Sequence, residues 1–222
     1  LTEMEYQFKN WYYFVWLCGD HIVEQHIHNL DVINWVKNGF PVKARGMGGC
    51  EVRKGNDYGE IFDHHSVEFE YADGSISHSM CRHQPGCWNS VSEHVVGTKG
   101  SCHVGGDRGG HTIRGENAWS FPRGTRTKNP YQQEHDDLFA AIRDDKPYNE
   151  AERGAKSTLT AILGRMATYS GKEITFDQAL NSEVDHLPKI FAWDAPAPVQ
   201  PNPDGSYSLP IPGNAEWLKK IV

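Results

Sequence analysis

The side chains best suited to do chemistry lie within residues 19–31, which read GDHIVEQHIHNLD. This stretch holds three histidines, one glutamate and two aspartates. On a helix that turns about 100° per residue, one narrow face would carry His21, Glu24, His28, Asp31 and Trp35. A carboxylate and an imidazole one helical turn apart can transfer a proton or bind a metal ion. A solvated ion pair worth about 0.3–0.5 kcal/mol is the alternative interpretation of the same spacing.

One helix and several strands must position this face. We predict that the helix runs from about Asp20 to Lys37, because Asn38-Gly39 is a C-terminal stop signal and Pro41 cannot continue it. Apolar and polar residues then alternate, which predicts antiparallel strands joined by a hairpin turn at Asp73-Gly74. The predicted strands are 42–52, 66–71 and 75–82, followed by a hairpin over 94–104 that turns at Thr98-Lys99.

Helices return in the second half of the chain. The glycine-rich residues 105–117 predict a loop, because no helix follows them to supply the N-terminal dipole of a nucleotide site. Asn129-Pro130 is typical of a helix start, and the predicted buried stripe of that helix is Leu138, Phe139 and Ile142. A further helix is predicted over about 151–169 and a short one from near Thr175.

These elements predict an α+β domain over residues 1–187, with a mainly antiparallel, open sheet covered on one face by helices. Residues 188–222 hold seven of the 12 prolines. They predict an extended arm that lies on the surface or on a partner subunit. Gly164, inside a predicted helix, is expected to make a packing contact rather than a phosphate site.

Composition excludes several classes of partner. The net charge is −7 and the pI about 5.9, with no basic run, so we expect neither nucleic acid nor an anionic membrane surface as a partner. No apolar stretch approaches the roughly 20 residues that span a bilayer. The 5 cysteines are scattered without a C-x-x-C motif, which argues against a zinc ribbon or a disulfide framework.

Three segments together resemble a known family. GDHIVEQHIHNLDVINWV resembles the helix that opens the C-terminal domain of the Gfo/Idh/MocA oxidoreductases. HVVGTKGSCHV is similar to the strand pair of that domain, and EHDDLFAAIRDDKP is similar to its late helix, in which an acidic turn and a proline are usual. The resemblance spans about Asp20 to Phe176.

The resemblance implies an enzyme that acts on a secondary hydroxyl of a sugar, inositol or related polyol. In that family an N-terminal Rossmann domain binds NAD or NADP, and this chain has neither that domain nor its Glu-Lys-Pro motif. His28 falls on the catalytic histidine of the family and Glu24 on its catalytic aspartate. A histidine suits proton transfer near neutral pH, and a neighbouring carboxylate can orient it. We therefore expect no cofactor-binding residue in this chain, and no dehydrogenase activity from it alone.

A polyol ligand needs stacking surfaces and convergent hydrogen-bonding groups. The residues that cluster near the motif in sequence are the candidates for substrate binding: Tyr13, Asp20, His21, Asp31, Arg82, His83 and Trp88. His26 is expected to be a hydrogen-bonded buried histidine. Asp63, His64 and His65 cannot all converge on one ligand, because neighbouring residues on a strand point to opposite faces.

Two other functions stay open at this point. His21, Glu24 and His28 could hold a metal ion in a hydrolase or lyase, and the domain could instead be a non-catalytic module for sugar binding or oligomerisation. The open sheet face favours a homo-oligomer. The chain opens with LTEMEYQ, without an initiator Met or signal peptide, so we expect a piece of a longer protein. A cytoplasmic location is favoured, with a periplasmic one left open.

Overall fold

The chain forms two units of structure, one from residues 1–87 and 156–222 and the other from residues 88–155. The computed structural model describes residues 1–105, 110–122, 124–125, 127–214, 216 and 219. Each unit contains a four-stranded antiparallel sheet and helices. The α+β class predicted from the sequence is therefore confirmed, although two sheets take the place of the single sheet expected.

Short helices open the first unit. The first begins where Thr2 and Glu5 form a capping box, which satisfies two backbone N–H groups at its start. Gly19 ends the helix over Val15–Cys18 and has a positive φ of 74°, a conformation that favours glycine. The elements of this region are α1 (Glu3–Lys9), a 3₁₀ helix (Trp11–Tyr13), α2 (Val15–Cys18), α3 (His21–Glu24) and α4 (Ile27–Lys37).

The prediction of one helix from Asp20 to Lys37 was wrong, because the helix breaks between α3 and α4. The N–H of His26 donates to the carbonyl of His21 rather than to that of Ile22, which widens the turn at this point. The ring of His26 contacts Ser79 Oγ at 2.6 Å. Tertiary hydrogen bonds of this kind outweigh helix propensity, which is a weak preference at any single residue. As a result, Glu24 and His28 lie on two separate helices.

Apolar side chains line the inner face of the sheet in the first unit. Its strands are β1 (Pro41–Gly49), β2 (His64–Tyr71), β3 (Ile76–Arg82) and β8 (Ile174–Thr175), in the order β3-β2-β1-β8. Val67, Phe69 and Tyr71 alternate with more exposed residues along β2, as the sequence predicted. The predicted hairpin at Asp73-Gly74 is also confirmed, with Glu70 paired to Ile76.

Helix α6 (Ala151–Ser170) contributes much of the core of the first unit. A Cβ added at Gly164 would lie 2.9 Å from Phe69 Cζ and 3.0 Å from Ile22 Cδ1. Both neighbours are almost fully buried, so they have little room to move. The expectation that Gly164 makes a packing contact is confirmed. After Ser170, Thr175 caps the short helix α7 (Phe176–Leu180), which was also predicted.

The second unit is built on a meander. Its strands are β4 (Ser92–Gly97), β5 (Gly100–Gly105), β6 (Thr112–Gly115) and β7 (Trp119–Ser120), paired in chain order. The hairpin turn at Thr98-Lys99 is confirmed. The loop predicted over 105–117 was wrong in part, since β6 pairs with β5 there; its residues 106–109 lie outside the described part of the chain.

Helix α5 (Pro130–Arg143) begins where the sequence indicated, with Asn129 accepting a hydrogen bond from the N–H of Tyr131. Its predicted buried stripe was wrong, because Leu138, Phe139 and Ile142 are all exposed. Apolar residues at helical spacing mark an apolar face of a helix. They do not by themselves show that this face is buried.

The proline-rich arm lies against α1 of the same chain. Gln7 donates from Nε2 to the carbonyl of Val199 at 2.7 Å, and the hydroxyl of Tyr207 donates to Glu3 Oε1 at 2.5 Å. Ala197 and Tyr207 are buried by this contact surface. Residues 188–214 contain neither helix nor strand, as the proline content predicted.

Two bulk expectations can be compared with the described residues. All five cysteines are free thiols, in agreement with the absence of a disulfide framework. None of the helices in the described ranges is long and apolar enough to cross a membrane.

Helix α6 offers a matched test of packing against propensity. Gly164→Ala should lower the free energy of unfolding by roughly 1–3 kcal/mol, because the new methyl group overpacks a closed part of the core. Gly154→Ala in the same helix meets no atom within 4 Å and should raise it by up to about 1 kcal/mol through helix propensity. Urea denaturation measures both values. Equal effects in the two variants would contradict the packing role of Gly164.

Candidate functional site

The candidate site is built around the carboxylate of Asp20, at the corner between α2 and α3. Asp20 has a φ of 77° and a ψ of 159°, which L residues rarely adopt. Such backbone strain costs of the order of 1–3 kcal/mol and persists only where the surrounding structure fixes it. Arg165 helps to fix the corner by donating from Nη1 to the carbonyl of Gly19 at 3.1 Å.

One oxygen of the Asp20 carboxylate is fully engaged. Oδ2 accepts a hydrogen bond from the backbone N–H of Phe62 at 3.0 Å and from the hydroxyl of Tyr169 at 2.5 Å. Phe62 precedes β2 and Tyr169 lies near the end of α6. The carboxylate therefore ties three separate segments of the first unit together.

The other oxygen faces two histidines. Oδ1 of Asp20 lies 2.8 Å from His21 Nδ1 and 3.2 Å from His65 Nε2, and all three side chains are almost completely buried. None of these three atoms takes part in a hydrogen bond of normal geometry, and His21 Nε2 lacks one as well. The two imidazole rings are 4.8 Å apart between centroids.

The second nitrogen of His65 is held in place from the opposite side. Nδ1 of His65 lies 2.9 Å from Thr168 Oγ1. The hydroxyl of Thr168 is also within hydrogen-bond distance of the carbonyls of Gly164 and Arg165, at 3.1 and 3.0 Å.

Burial and charge set the protonation states around Asp20. Burial raises the pKa of Asp20, but the charge of His65 and the contacts with His21 outweigh it and hold that pKa well below its ordinary value. Burial lowers the pKa of His65, against the attraction of Asp20. Burial and the charge of Asp20 raise the pKa of Tyr169 well above its ordinary value. The carboxylate is therefore ionised while the phenol keeps its proton.

A second polar layer lies between this buried cluster and the surface. His83 packs edge to face on His21 with centroids 4.8 Å apart, and its Nε2 lies 2.8 Å from Gln25 Oε1. The hydroxyl of Tyr12 donates to the same Gln25 oxygen at 2.8 Å. Burial, followed by the charges of His21 and Arg53, lowers the pKa of His83 to about 4. His83 is therefore neutral at physiological pH.

The two residues predicted to be catalytic differ in exposure. Glu24, at the end of α3, is half-buried, and its Oε2 is a buried atom without a hydrogen bond. Its charge contributes, after burial, to a raised pKa of Tyr12, which places Glu24 beside the polar layer. His28 lies on the exposed face of α4. It is therefore accessible to a ligand, whereas His21 is not.

The predicted substrate-binding residues are brought together only in part. Asp20, His21 and His83 lie in or against the buried cluster. Tyr13 is half-buried, with Arg53 over its ring at 5.6 Å, and Asp31 accepts from Ser157 at 2.5 Å, so it faces α6.

Arg82 and Trp88 belong to different parts of the fold. Arg82 is exposed at the end of β3 and Trp88 is exposed in the second unit. Each of these two residues takes part in at least one interaction. Their sequence proximity to His83 does not place them in the buried cluster.

The structure groups a different set of possible metal ligands from the set predicted from the sequence. Among the described residues, the group of three whose ligand atoms lie within 4.8 Å of one another is Asp20, His21 and His65. Glu24 and His28, which the sequence placed beside His21, do not belong to that group.

Sequence reasoning missed the role of His65 and Gln25. Strand alternation did predict that His64 and His65 point to opposite faces, and His65 is buried while His64 is 41% exposed. Asp63 has a different role, because its Oδ2 accepts from the backbone N–H groups of residues 51–53 at 2.6–3.1 Å. A histidine on the same face as Val67 and Phe69 is the signal that could have located the cluster.

Comparison with known proteins gives one match in sequence. Residues 2–175 match the sequence pattern described as the oxidoreductase family, C-terminal alpha/beta domain, of the Gfo/Idh/MocA group. No individual curated protein matches the chain significantly.

Solved structures share the fold at low sequence identity. An aldose-aldose oxidoreductase from Caulobacter crescentus, crystallised with glycerol, has a TM-score of 0.55 at 16% identity, over 67% of this chain and 45% of that one. A levoglucosan dehydrogenase in complex with NADH and levoglucosan has 0.57 at 15%, over 74% and 53%. The myo-inositol 2-dehydrogenase of Lactobacillus plantarum has 0.53 at 17%, over 77% and 52%. The chain thus matches about half the length of each of these proteins.

Two buried tyrosines test how much the ionised Asp20 contributes to stability. Tyr169→Phe should lower the free energy of unfolding by about 1.5–3 kcal/mol, because it removes a hydrogen bond to a buried charge. Tyr71→Phe removes a hydrogen bond to the neutral Asn34 Oδ1 at 2.9 Å and should cost about 0.5–1.5 kcal/mol. Urea denaturation of both variants gives the comparison. A smaller loss for Tyr169→Phe than for Tyr71→Phe would show that Asp20 is not ionised.

Proposed function

The chain belongs to the Gfo/Idh/MocA oxidoreductase family, whose C-terminal alpha/beta domain it contains, and we propose that it is the substrate-binding and catalytic half of an NAD(P)-dependent oxidoreductase. The family match over residues 2–175 is the observation that carries this proposal. The described residues form only antiparallel sheets, whereas a dinucleotide site uses parallel strands and the N-terminus of a following helix. The described residues therefore do not fit the dinucleotide, and we propose that another segment of the protein holds it.

The proposed substrate is a sugar, an inositol or a related polyol, oxidised at a secondary hydroxyl. Support comes from the names of three structural relatives, which are an aldose-aldose oxidoreductase, a levoglucosan dehydrogenase and a myo-inositol dehydrogenase. The polar layer of Tyr12, Gln25 and His83 would supply hydrogen-bonding groups of the kind that a polyol requires. The exposure of Gln25 gives a ligand access to this layer.

The proton chemistry is assigned to His28 and Glu24. Oxidation of a secondary alcohol removes the hydroxyl proton and a hydride from the same carbon, and acceptance of the hydride is the chemistry that a nicotinamide supplies when bound. His28 would take the proton, because its imidazole is exposed and within reach of a ligand. Glu24 would stabilise the charged imidazole. The two proposed groups lie on separate helices, Glu24 at the end of α3 and His28 in α4.

The catalytic assignment is tested in the full-length enzyme. His28→Ala should lower kcat/KM for the preferred polyol by about 10²–10⁴-fold, the usual contribution of a general base. His28 is exposed, so the variant should unfold at the same temperature as the parent. The matched control is His78→Ala, which removes another exposed imidazole from β3 and should leave turnover unchanged. A panel of sugars and inositols with NAD and with NADP identifies the substrate, and unchanged turnover in His28→Ala would refute the assignment.

We also propose that the protein is a homo-oligomer that associates through the outer face of the first sheet. Met47 and Met80 are paired in register with Ser66 between them, and both methionines are more than 70% exposed. The two methionines would supply adaptable apolar contacts beside the Lys43–Glu70 and Arg45–Glu68 ion pairs of the same sheet face.

The oligomer proposal is tested by light scattering. Met80→Arg should shift the mass towards that of a monomer, because a charge would have to be buried in the interface. Val96→Arg, at an exposed apolar residue of the second unit, should leave the mass unchanged. A monomeric parent protein would reject the proposal.

A further inference from the structure

The buried cluster of Asp20, His21 and His65 has a feature that the proposed oxidoreductase chemistry does not use. Three polar atoms, Asp20 Oδ1, His21 Nδ1 and His65 Nε2, face one another at ion-pair distances but form no hydrogen bond of normal geometry. Buried polar atoms are normally hydrogen-bonded, since burying one without a partner costs free energy. Three such atoms directed at one point are arranged to share a single ligand.

We propose that these three atoms bind one divalent transition-metal ion. Two imidazole nitrogens and one carboxylate oxygen are a ligand set that suits Zn²⁺ and its first-row neighbours. Ligand atoms about 2.1 Å from one ion lie roughly 3–3.5 Å from one another. The distances from Asp20 Oδ1 are 2.8 Å to His21 and 3.2 Å to His65, and all three atoms lie within 4.8 Å. Small shifts of the side chains would accommodate the ion.

The groups behind two of the three ligands are arranged as in metal sites. A metal-bound histidine usually has its other nitrogen hydrogen-bonded, and a metal-bound carboxylate is itself held by hydrogen bonds. His65 meets this pattern through Nδ1 and Thr168 Oγ1, and Asp20 meets it through Oδ2 with Phe62 N–H and the Tyr169 hydroxyl. Nε2 of His21 has no such partner, so hydrogen bonds orient two of the three proposed ligands from behind.

The position of the site gives the ion a structural role. Asp20 and His21 lie at the start of α3, and His65 lies on β2, so an ion would cross-link the helix corner to the sheet. Glu24 is one turn further along α3. The ion would thus fix the position of α3, which carries the carboxylate of Glu24. It would do so without contacting the substrate.

Metal analysis of the purified chain is the direct test. The protein is expressed with a histidine-free tag, and its zinc, iron, manganese, cobalt and nickel contents are measured by mass spectrometry. We expect about one equivalent of one of these metals per chain. The matched control is His94→Gln, which disrupts an exposed pair of histidines with ring nitrogens 3.3 Å apart and removes adventitious surface binding. It should keep the metal, whereas His65→Gln and His21→Gln should lose it.

A refolding experiment on the parent protein tests the proposal even if the variants of the metal ligands do not fold. Parent protein is unfolded in urea with a chelator and refolded with or without equimolar ZnCl₂. Because a buried metal binds only the folded chain, zinc should raise the melting temperature by at least about 5 °C. No bound metal together with no effect of zinc on refolding would overturn the proposal, and a protonated histidine would then neutralise Asp20. Neither readout depends on enzymatic activity, so the result is independent of the proposed oxidoreductase function.

Discussion

The burial of a single carboxylate, that of Asp20, constrains most of the first unit. An ionised group with no exposure to water is strongly destabilising unless every side of it meets a donor or a positive charge. The backbone before β2, the end of α6 and two histidines meet it from different directions. The relative positions of α3, the sheet and α6 therefore depend on one side chain, and the strained backbone of Asp20 follows from the need to point that side chain inward.

Local patterns in the sequence predicted local structure well. Alternation along β2, the Asp73-Gly74 hairpin and the Thr175 cap each depend on residues close together in the chain, and all three were predicted. The helix from Asp20 to Lys37 failed because its middle is determined by distant partners, of which Ser79 is one. In the same way β6 depends on pairing with β5, which no pattern within residues 105–117 reveals.

The sequence predicted the part of the candidate site that lies near α3, but it did not predict the part contributed by β2. The density of histidines and carboxylates over residues 19–31 located Asp20 and His21, and proximity to the β3 hairpin located His83. His65 contributes through the register of β2, which brings it beneath α3. Helical periodicity grouped His21 with Glu24 and His28, but the break at Gln25 and His26 leaves His21 buried and His28 exposed. The chemistry of the segment is therefore divided between an inner and an outer layer.

The attachment of the arm to α1 has a consequence for the order of folding. Gln7, which is fully buried, binds the carbonyl of Val199, a residue 192 positions later in the chain. Contacts of such separation carry a large loop-closure entropy and form late. Within this unit α1 is made before the arm, so its buried polar face acquires its partner only after nearly the whole unit has been made. Until then the side-chain amide of Gln7 has to be hydrated by water.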